Sequence, residues 1–94
     1  MIKPELYVDF NEMLAPDLVL LSAEDSKAAA TGEPISLQAG LQVAIFMDDF
    51  DEKGRRDDLV AFGVVEKNTS AGWAQHVRWC CRIDDSGIRR RSEL

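Results

Sequence analysis

Regular alternation of apolar and polar residues near the C-terminal end is the feature that most constrains the fold of this chain. The segment "AQHVRWCCRIDD", residues 74–85, has an apolar residue at every second position: Val77, Trp79, Cys81 and Ile83. A period of two is typical of a half-buried β-strand, because successive side chains point to opposite faces. We therefore expect an extended strand that places the indole of Trp79 on the core side and Arg78 and Arg82 on the other side.

Four earlier segments also have the character of strands, and no part of the chain shows the period of a long helix. They cover residues 6–10, 18–22, 41–47 and 59–68. Gly63, inside the last of them, predicts a bulge, a bend or a close backbone crossing. Several short strands separated by turns favour an all-β domain of five or six strands. Closing the sheet into a small barrel hides its apolar face and removes its edges, and an OB-like barrel is the second architecture that fits.

The apolar faces of these strands give the expected core. Residues 59–65 have apolar side chains on both faces, and we assign the face of Val60, Phe62 and Val64 to the interior. Together with the other strands, this gives an expected core of Leu6, Val8, Phe10, Val19, Leu21, Leu41, Val43, Ile45, Val60, Phe62, Val64, Val77, Trp79, Cys81 and Ile83.

Residues 22–36, "SAEDSKAAATGEPIS", allow two interpretations. Ser22 as an N-cap, followed by the alanines at 28–30, suits a short helix that stops at Gly32. The Thr-Gly-Glu-Pro sequence at residues 31–34 is turn chemistry and favours a flexible polar surface loop. We take the loop as the first expectation and the helix as the alternative.

Chain length and apolar content bound the protein class. The 94 residues are enough for one domain with one small core. The longest apolar run, Leu18–Leu21, is far shorter than the roughly 18 residues of a membrane span, and the N-terminal residues lack the apolar core of a signal peptide. Cys80 and Cys81 are adjacent, so on a strand they point apart and are expected to be free thiols, which suits a reducing compartment. We therefore expect a cytoplasmic protein.

The stretch "MDDFDEKGRRDD", residues 47–58, is expected to be a long acidic hairpin loop that turns at Lys53-Gly54. It does not fit an EF-hand loop, because counting from Asp49 puts a lysine at the fifth position and Val60 where the bidentate glutamate belongs. A looser calcium site is the minor alternative, and the three cations within the loop oppose it. The loop can instead present charge to a protein partner. The residues expected to do so are Asp48, Asp49, Asp51, Arg55, Arg56, Asp57 and Asp58.

No set of residues with the spacing of a catalytic or metal site stands out. Zinc needs three or four converging ligands, and on a strand His76 and Cys80 lie about 13 Å apart. That distance also excludes a Cys–His nucleophilic pair within this strand. The chain has no glycine-rich phosphate loop, and no carboxylate pair lies in an apolar setting. We therefore expect a protein that is not an enzyme and that carries no cofactor and no metal.

Charge is distributed unevenly along the chain, whose net charge is −6. Residues 1–52 carry 11 acidic and 2 basic residues, whereas residues 53–94 carry 6 acidic and 9 basic residues. We expect these halves mainly to pair across the fold. The C-terminal arginines also define an alternative function, a nucleic-acid-binding small barrel, which the negative net charge and the inward Trp79 disfavour. That alternative uses Arg78, Arg82, Arg89, Arg90 and Arg91.

Residues 37–94 resemble the small β-barrels of the SH3-like class, of the Tudor or KOW kind. The segments "LQAGLQVAIFMDD" and "DDLVAFGVVEKN" carry this likeness. A glycine-containing turn enters a strand at "GLQV", residues 47–58 correspond to the long variable loop, and "SEL" corresponds to the closing helical turn. The loop has a single aromatic residue, Phe50, and we find no aromatic cage, so the resemblance implies an architecture without a ligand class. The final stretch, "WCCRIDDSGIRRRSEL", looks like that of a small bacterial family.

Taken together, these features predict a small, acidic, non-catalytic protein-binding or adaptor module. Such a module engages another protein through its loops or through the edges of its strands. We expect the partner to be a protein rather than a nucleic acid or a membrane.

Overall fold

The computed structural model describes residues 3–94, and β-strands dominate it. In chain order the strands are β1 (Glu5–Tyr7), β2 (Met13–Ala15), β3 (Leu18–Ser22), β4 (Ser26–Ala28), β5 (Pro34–Ser36), β6 (Gln42–Met47), β7 (Leu59–Lys67), β8 (Trp79–Ile83) and β9 (Arg89–Arg90). The helical elements of these residues are two 3-10 turns, Gly72–Ala74 and Arg91–Glu93. The prediction of an all-β fold is confirmed, with shorter and more numerous strands than expected. No helix within residues 3–94 has the length and apolar composition needed to cross a membrane.

Seven strands form one mixed sheet in the order β1-β6-β7-β8-β3-β2, with β9 beside the start of β7. Strand β1 runs parallel to β6, and the other neighbours are antiparallel. Within the described residues the end strands β1 and β2 do not pair with each other, so the sheet is not the closed barrel that the sequence predicts. Part of the reason lies at β1, where the N–H of Ala30 donates to the carbonyl of Glu5 at 2.8 Å and occupies this edge.

The main core lies on one face of this sheet, because the register aligns inward side chains across neighbouring strands. Leu6, Ile45 and Ala61 form one such row, and each is at most 1% exposed. The residues correctly expected to be buried are Leu6, Val8, Val19, Leu21, Val43, Ile45, Val60, Val77, Cys81 and Ile83. Three more of the expected residues are partly buried against the core: Phe10, Leu41 and Trp79.

Strand β7 presents the opposite face to the core from the one assigned by sequence. Gly63 and Val65 lie on the core side, whereas Phe62 is half-buried on the other face and Val64 is 38% exposed there. Position 63 admits no side chain on the core side, because a Cβ there would lie 2.2 Å from the carbonyl oxygen of Arg82. The backbones of β7 and β8 approach too closely there to admit a side chain. The assignment of Phe62 and Val64 to the core is therefore wrong, and the close backbone approach, one of the three possibilities predicted at Gly63, is confirmed.

A second, smaller apolar cluster lies on the opposite face of the sheet. It is formed by Leu20, Ala74, Val77 and Cys80, with Leu14 and Leu18 packed against it. The 3-10 turn Gly72–Ala74 supplies Ala74, so the segment before β8 covers this part of the sheet. Val77 consequently packs in this cluster rather than in the main core. Cys80 and Cys81 are both buried free thiols, one in each cluster.

Residues 22–36 contain a β-hairpin, which corrects both the loop and the helix interpretation. Strands β4 and β5 pair antiparallel with Lys27 opposite Ile35. Gly32, at φ +89°, lies in the turn between them. Ala29 and Leu37 are buried against the main core and anchor the hairpin. The many polar residues around these two positions conceal the short alternation, which explains why the composition indicated a loop.

The alternating segment near the C-terminal end is extended, as the sequence predicts. Strand β8 spans Trp79–Ile83 and pairs with β7 on one side and β3 on the other. His76 and Arg78 precede the strand rather than lying within it. Strand β2 is an element that the sequence did not predict, and it forms a short irregular hairpin with β3.

Candidate functional site

The loop between β6 and β7 is a folded extension of their hairpin. Phe50 and Arg56 form an isolated antiparallel bridge. The carboxylate of Asp51 accepts hydrogen bonds from the backbone N–H groups of Lys53 and Arg55, both at 2.9 Å. Gly54, at φ +75°, sits at the tip, where a positive φ favours glycine. The turn is therefore held by the loop's own residues.

Arginines neutralise most of the carboxylates in this loop. The ion pairs are Arg55–Asp51, Arg56–Asp48, Arg56–Asp58 and Arg90–Asp49. Arg56 bridges Asp48 at 2.6 Å and Asp58 at 3.0 Å, and its hydrogen bond to Asp58 raises the pKa of the guanidinium. Guanidinium groups thus stand where a calcium ion would have to bind. Within residues 3–94, no group of three or more His, Cys, Asp or Glu side chains is arranged to hold a metal ion.

The C-terminal segment is fastened to the same loop. Arg91 reaches Glu5 at 2.8 Å and Asp58 at 3.6 Å, and its hydrogen bond to Glu5 raises the pKa of the guanidinium. Asp58 is only 8% exposed, so its two arginine partners, Arg56 and Arg91, compensate a largely buried carboxylate. Six of the seven loop residues singled out in the sequence make ion pairs, several of them with Arg90 or Arg91, and we call this set with the two arginines the ion-paired cluster. The seventh, Asp57, is hydrogen-bonded to Ser92 instead. Partner binding by this cluster stays a prediction.

The remaining arginines of the C-terminal half are separated rather than gathered into one stripe. Arg78 lies before β8 and pairs with Asp25 at 2.9 Å. Arg82 lies within β8 and contacts Glu66 at 3.1 Å and Asp17 at 3.0 Å. The Arg78–Asp25 and Arg82–Asp17 pairs join the basic half of the chain to its acidic half, as expected, whereas Glu66 lies in the same half as Arg82.

An apolar cluster on the sheet face opposite the main core forms a second candidate site, which we call the aromatic face. It comprises Tyr7, Phe46, Phe62 and Val64, with Ala44 and Val60 among them. Tyr7 and Phe46 are opposite in register, and their rings meet edge to face with centroids 5.6 Å apart. Tyr7 is 46% exposed and Val64 is 38% exposed, whereas Ala44 and Val60 are only 5% and 2% exposed. The larger side chains therefore cover the smaller ones and present an apolar surface to solvent.

Sequence reasoning missed the aromatic face because the exposed side chains lie in apolar segments. Tyr7 alternates with the core residues Leu6 and Val8, and Phe46 follows the core residue Ile45. A face that alternates with the core is expected to be polar in an antiparallel sheet with one wet side. Large apolar residues on both faces of β7 were the available signal, and we assigned Val60, Phe62 and Val64 to the core, whereas Phe46 and Tyr7 were given no role.

Three basic residues border the aromatic face, of which Arg82, opposite Val64 in register, is paired with Glu66 and Asp17. The ammonium of Lys3 lies 5.4 Å from the centroid of the Phe62 ring, within range of a cation–π contact. Arg89 is opposite Val60 in register and lies at the other side of the face. Its Nε donates to the carbonyl of Ser86 at 3.1 Å. The border of the aromatic face therefore carries Lys3 and Arg89 together with acidic residues, among them Asp84, whose backbone N–H donates to the carbonyl of Phe62 at 2.9 Å.

The ends of the sheet are poor sites for the addition of another strand. Strands β1 and β2 have three residues each, and the edge of β1 is partly occupied by Ala30. Short, interrupted edges offer few free backbone groups for pairing. Of the two binding routes that the sequence left open, the strand edge is the less favourable.

The thiols and the histidine form no reactive pair. Burial raises the pKa of the Cys80 thiol, and it raises that of Cys81 to about 12. Thiolates, the nucleophilic form of cysteine, are therefore scarce at neutral pH. His76 is exposed in the segment before β8.

Comparison of the chain with protein-family models, with curated proteins and with solved structures found no match.

Proposed function

We propose that the protein is a non-catalytic protein-binding or adaptor module that engages its partner through the aromatic face. The observation that carries this proposal is the solvent exposure of Tyr7 and Val64 beside the half-buried rings of Phe46 and Phe62. Contiguous apolar surface rimmed by polar residues is typical of protein–protein contact sites. Tyrosine and phenylalanine are also enriched in the centres of such interfaces.

Ring geometry supports a protein partner over a single-stranded nucleic acid. Bases stack on ring faces that are open to solvent. Here one face of Phe62 lies beneath the ammonium of Lys3, and the rings of Tyr7 and Phe46 are inclined at 82° to each other. These three rings do not offer a common stacking platform.

Charge supports the same choice. Affinity for a phosphate backbone comes mainly from cations that are free to replace its counterions. Arg78, Arg82, Arg90 and Arg91 are each paired with carboxylates in this fold. Nucleic-acid binding would have to break those pairs, so the arginine cluster contributes less than its sequence suggests.

The SH3-like resemblance belongs to this proposal as an architectural likeness. Strand β6, the long loop, β7, β8 and the terminal 3-10 turn follow in the order that the resemblance implies. We propose that the molecule is an open relative of such small barrels. On this view its binding surface has moved from the loops to the outer face of the sheet.

Site-specific photo-cross-linking in cells tests the proposal. Benzoylphenylalanine is placed at position 64 on the aromatic face and, as a control, at position 73, where Trp73 is 63% exposed outside that face. A third position, 50, probes the acidic loop through the exposed Phe50. Adducts are then compared before and after nuclease treatment.

We expect a discrete protein adduct at position 64 that survives nuclease, and none at position 73. The absence of any adduct at position 64, or adducts that nuclease removes, would overturn the proposal. A protein adduct at position 50 without one at position 64 would also overturn it and would move the binding site to the acidic loop.

A further inference from the structure

The basic residues of this protein divide into those that make an ion pair with a carboxylate and those that do not. Six arginines make ion pairs: Arg55, Arg56, Arg78, Arg82, Arg90 and Arg91. Within residues 3–94 the basic residues without an ion-paired carboxylate are Lys3, Lys27, Lys53, Lys67 and Arg89. The unpaired group is the part of the charge that is free to act on a partner.

Two members of the unpaired group border the aromatic face, and the other three lie elsewhere. Lys3 sits over Phe62, and Arg89 lies opposite Val60. Lys53 is in the loop and Lys67 is at the far end of β7. Lys27 is half-buried in the β4–β5 hairpin, where desolvation lowers its pKa.

Two of the carboxylates near the aromatic face are already neutralised, whereas Asp84, whose backbone N–H donates to the carbonyl of Phe62 at 2.9 Å, makes no ion pair. Glu5 follows Lys3 on the outer side of β1 and pairs with Arg91 at 2.8 Å. Glu66 follows Val64 on the outer side of β7 and pairs with Arg82 at 3.1 Å. The face therefore combines an apolar centre with two unpaired cations, Lys3 and Arg89, against one unpaired carboxylate, Asp84, although the whole chain has a net charge of −6.

We infer that the aromatic face recognises an acidic apolar segment of another protein, one that presents a large apolar side chain between carboxylates. This inference rests on the proposed function and specifies its partner. The apolar side chain would contact the Phe62 and Val64 region, and the carboxylates would face Lys3 and Arg89. Opposite charges at the rim of an interface mainly set specificity and the rate of encounter.

A second copy of this chain fits the face less well. In a two-fold symmetric pair the same patch meets itself. Lys3 and Arg89 of each copy would then face the same apolar patch, near which Glu5 and Glu66 are already paired and Asp84 is left to accept them. One carboxylate in each copy is fewer than the two cations that it would have to match.

Defined peptides test the inference. Two fluorescent peptides share one apolar centre, Leu-Phe-Leu, and differ in their flanks, which are three Asp/Glu residues or three Lys residues on each side. Their binding is measured by anisotropy at low and high salt, and amide chemical shifts locate the contact. The test variant is Lys3→Glu with Arg89→Glu, and the matched control is Lys53→Glu with Lys67→Glu, which makes the same change in net charge away from the face.

We expect the acidic peptide to bind about tenfold more tightly than the basic one at low salt, as two exposed charge pairs allow. High salt should shrink that preference. The test variant should reverse the preference for the acidic peptide, and the control variant should keep it. The amide chemical-shift changes should centre on Phe46, Phe62 and Val64.

Several outcomes would overturn the inference. Equal affinity for both peptides at the aromatic face would contradict the preference for an acidic partner and would leave the proposed function intact. A protein adduct at position 64 combined with no affinity for the acidic peptide would do the same. Sedimentation showing a dimer that Val64→Glu abolishes would identify a second copy as the occupant. Shifts at the face caused by single-stranded RNA would identify a nucleic acid instead.

Discussion

Ser92 is held against Asp57 by two hydrogen bonds. The Ser92 hydroxyl donates to Oδ2 of Asp57 at 2.7 Å, and the Ser92 backbone N–H donates to Oδ1 at 3.0 Å. Because Asp57 belongs to the loop between β6 and β7, this contact joins the C-terminal 3-10 turn to the ion-paired cluster. The same hydrogen bonds favour the ionised carboxylate and lower the pKa of Asp57.

Acid should release the C-terminal 3-10 turn from the loop at a pH below the ordinary pKa of an aspartate. A carboxyl group with a lowered pKa in the folded state stabilises that state above its ordinary pKa of about 3.9. This contribution is lost as the pH falls through the lower folded value. We expect the Ser92 amide resonance to titrate below 3.9, as followed by NMR between pH 6 and pH 2.

Asp57→Asn provides the control for that titration. The amide oxygen still accepts one hydrogen bond but does not ionise, so the Ser92 resonance should lose its acid transition while the rest of the spectrum is unchanged. Glu52→Gln, at an exposed neighbouring site, should leave the transition in place. A Ser92 midpoint at the ordinary carboxyl value would contradict the predicted lowering.

Gly63→Ala should destabilise the fold severely for so small a change. The added Cβ would lie 2.2 Å from the Arg82 carbonyl oxygen and 2.7 Å from the Cys81 Sγ, so the backbones of β7 and β8 must separate. Overpacking of this kind costs about 3 kcal/mol. Urea unfolding measures the loss. Gly54→Ala meets no atom within 4 Å and is expected to cost only the ~1 kcal/mol of its left-handed backbone. Equal losses in the two variants would refute the close approach.

Both thiols should be protected in the native state and should make the protein less stable in alkali. Cys81 ionises only near pH 12 when folded, against a usual value of 9.0. Since the unfolded chain ionises first, the free energy of unfolding should fall by about 1 kcal/mol between pH 9 and pH 10. Urea unfolding at the two pH values checks this, and Cys81→Ala should remove most of the decrease. Rapid labelling of native protein by a thiol reagent at pH 8 would contradict the burial of Cys80 and Cys81.

Asp25 should control the environment of Trp79. Its Oδ1 accepts the indole N–H at 3.0 Å, and its Oδ2 accepts a hydrogen bond from Arg78 at 2.9 Å. Both hydrogen bonds lower the pKa of Asp25, and the one from the indole has the larger effect. We expect the indole N–H resonance of Trp79 to titrate below pH 3.8, while that of the exposed Trp73 stays constant as an internal reference. Asp25→Ala should shift the Trp79 resonance at every pH, and an unchanged spectrum would show that the hydrogen bond does not form.

The sequence predicted the central strands well because their alternation is strong. Strand β8 is extended around Trp79, and the inward residues of β6, Val43 and Ile45, are fully buried. The pairing of opposite charges was also predictable, since acidic residues dominate the first half of the chain and arginines the second. These features depend on local pattern and overall composition, both of which are visible without coordinates.

The aromatic face was not predictable with the same rules, because β7 is apolar on both sides. Val60, Phe62 and Val64 look more like core residues than Ala61, Gly63 and Val65 do. The choice between the faces depends on the close approach of β8, a contact between segments far apart in the chain. The β4–β5 hairpin was missed for a related reason, since its stability comes from Ala29 and Leu37 packing against strands elsewhere.

The pairing of β3 with β8 is expected to slow the folding of this molecule. Leu20 lies opposite Cys80, sixty residues away along the chain, and neither strand has a close sequence neighbour to pair with on that side. Topologies dominated by such distant pairings fold slowly. The β6–β7 hairpin, local and long, can assemble first and expose Phe46 and Phe62 before the rest of the sheet arrives. The side chains proposed to capture a partner are thus also those most in need of protection in the newly made chain.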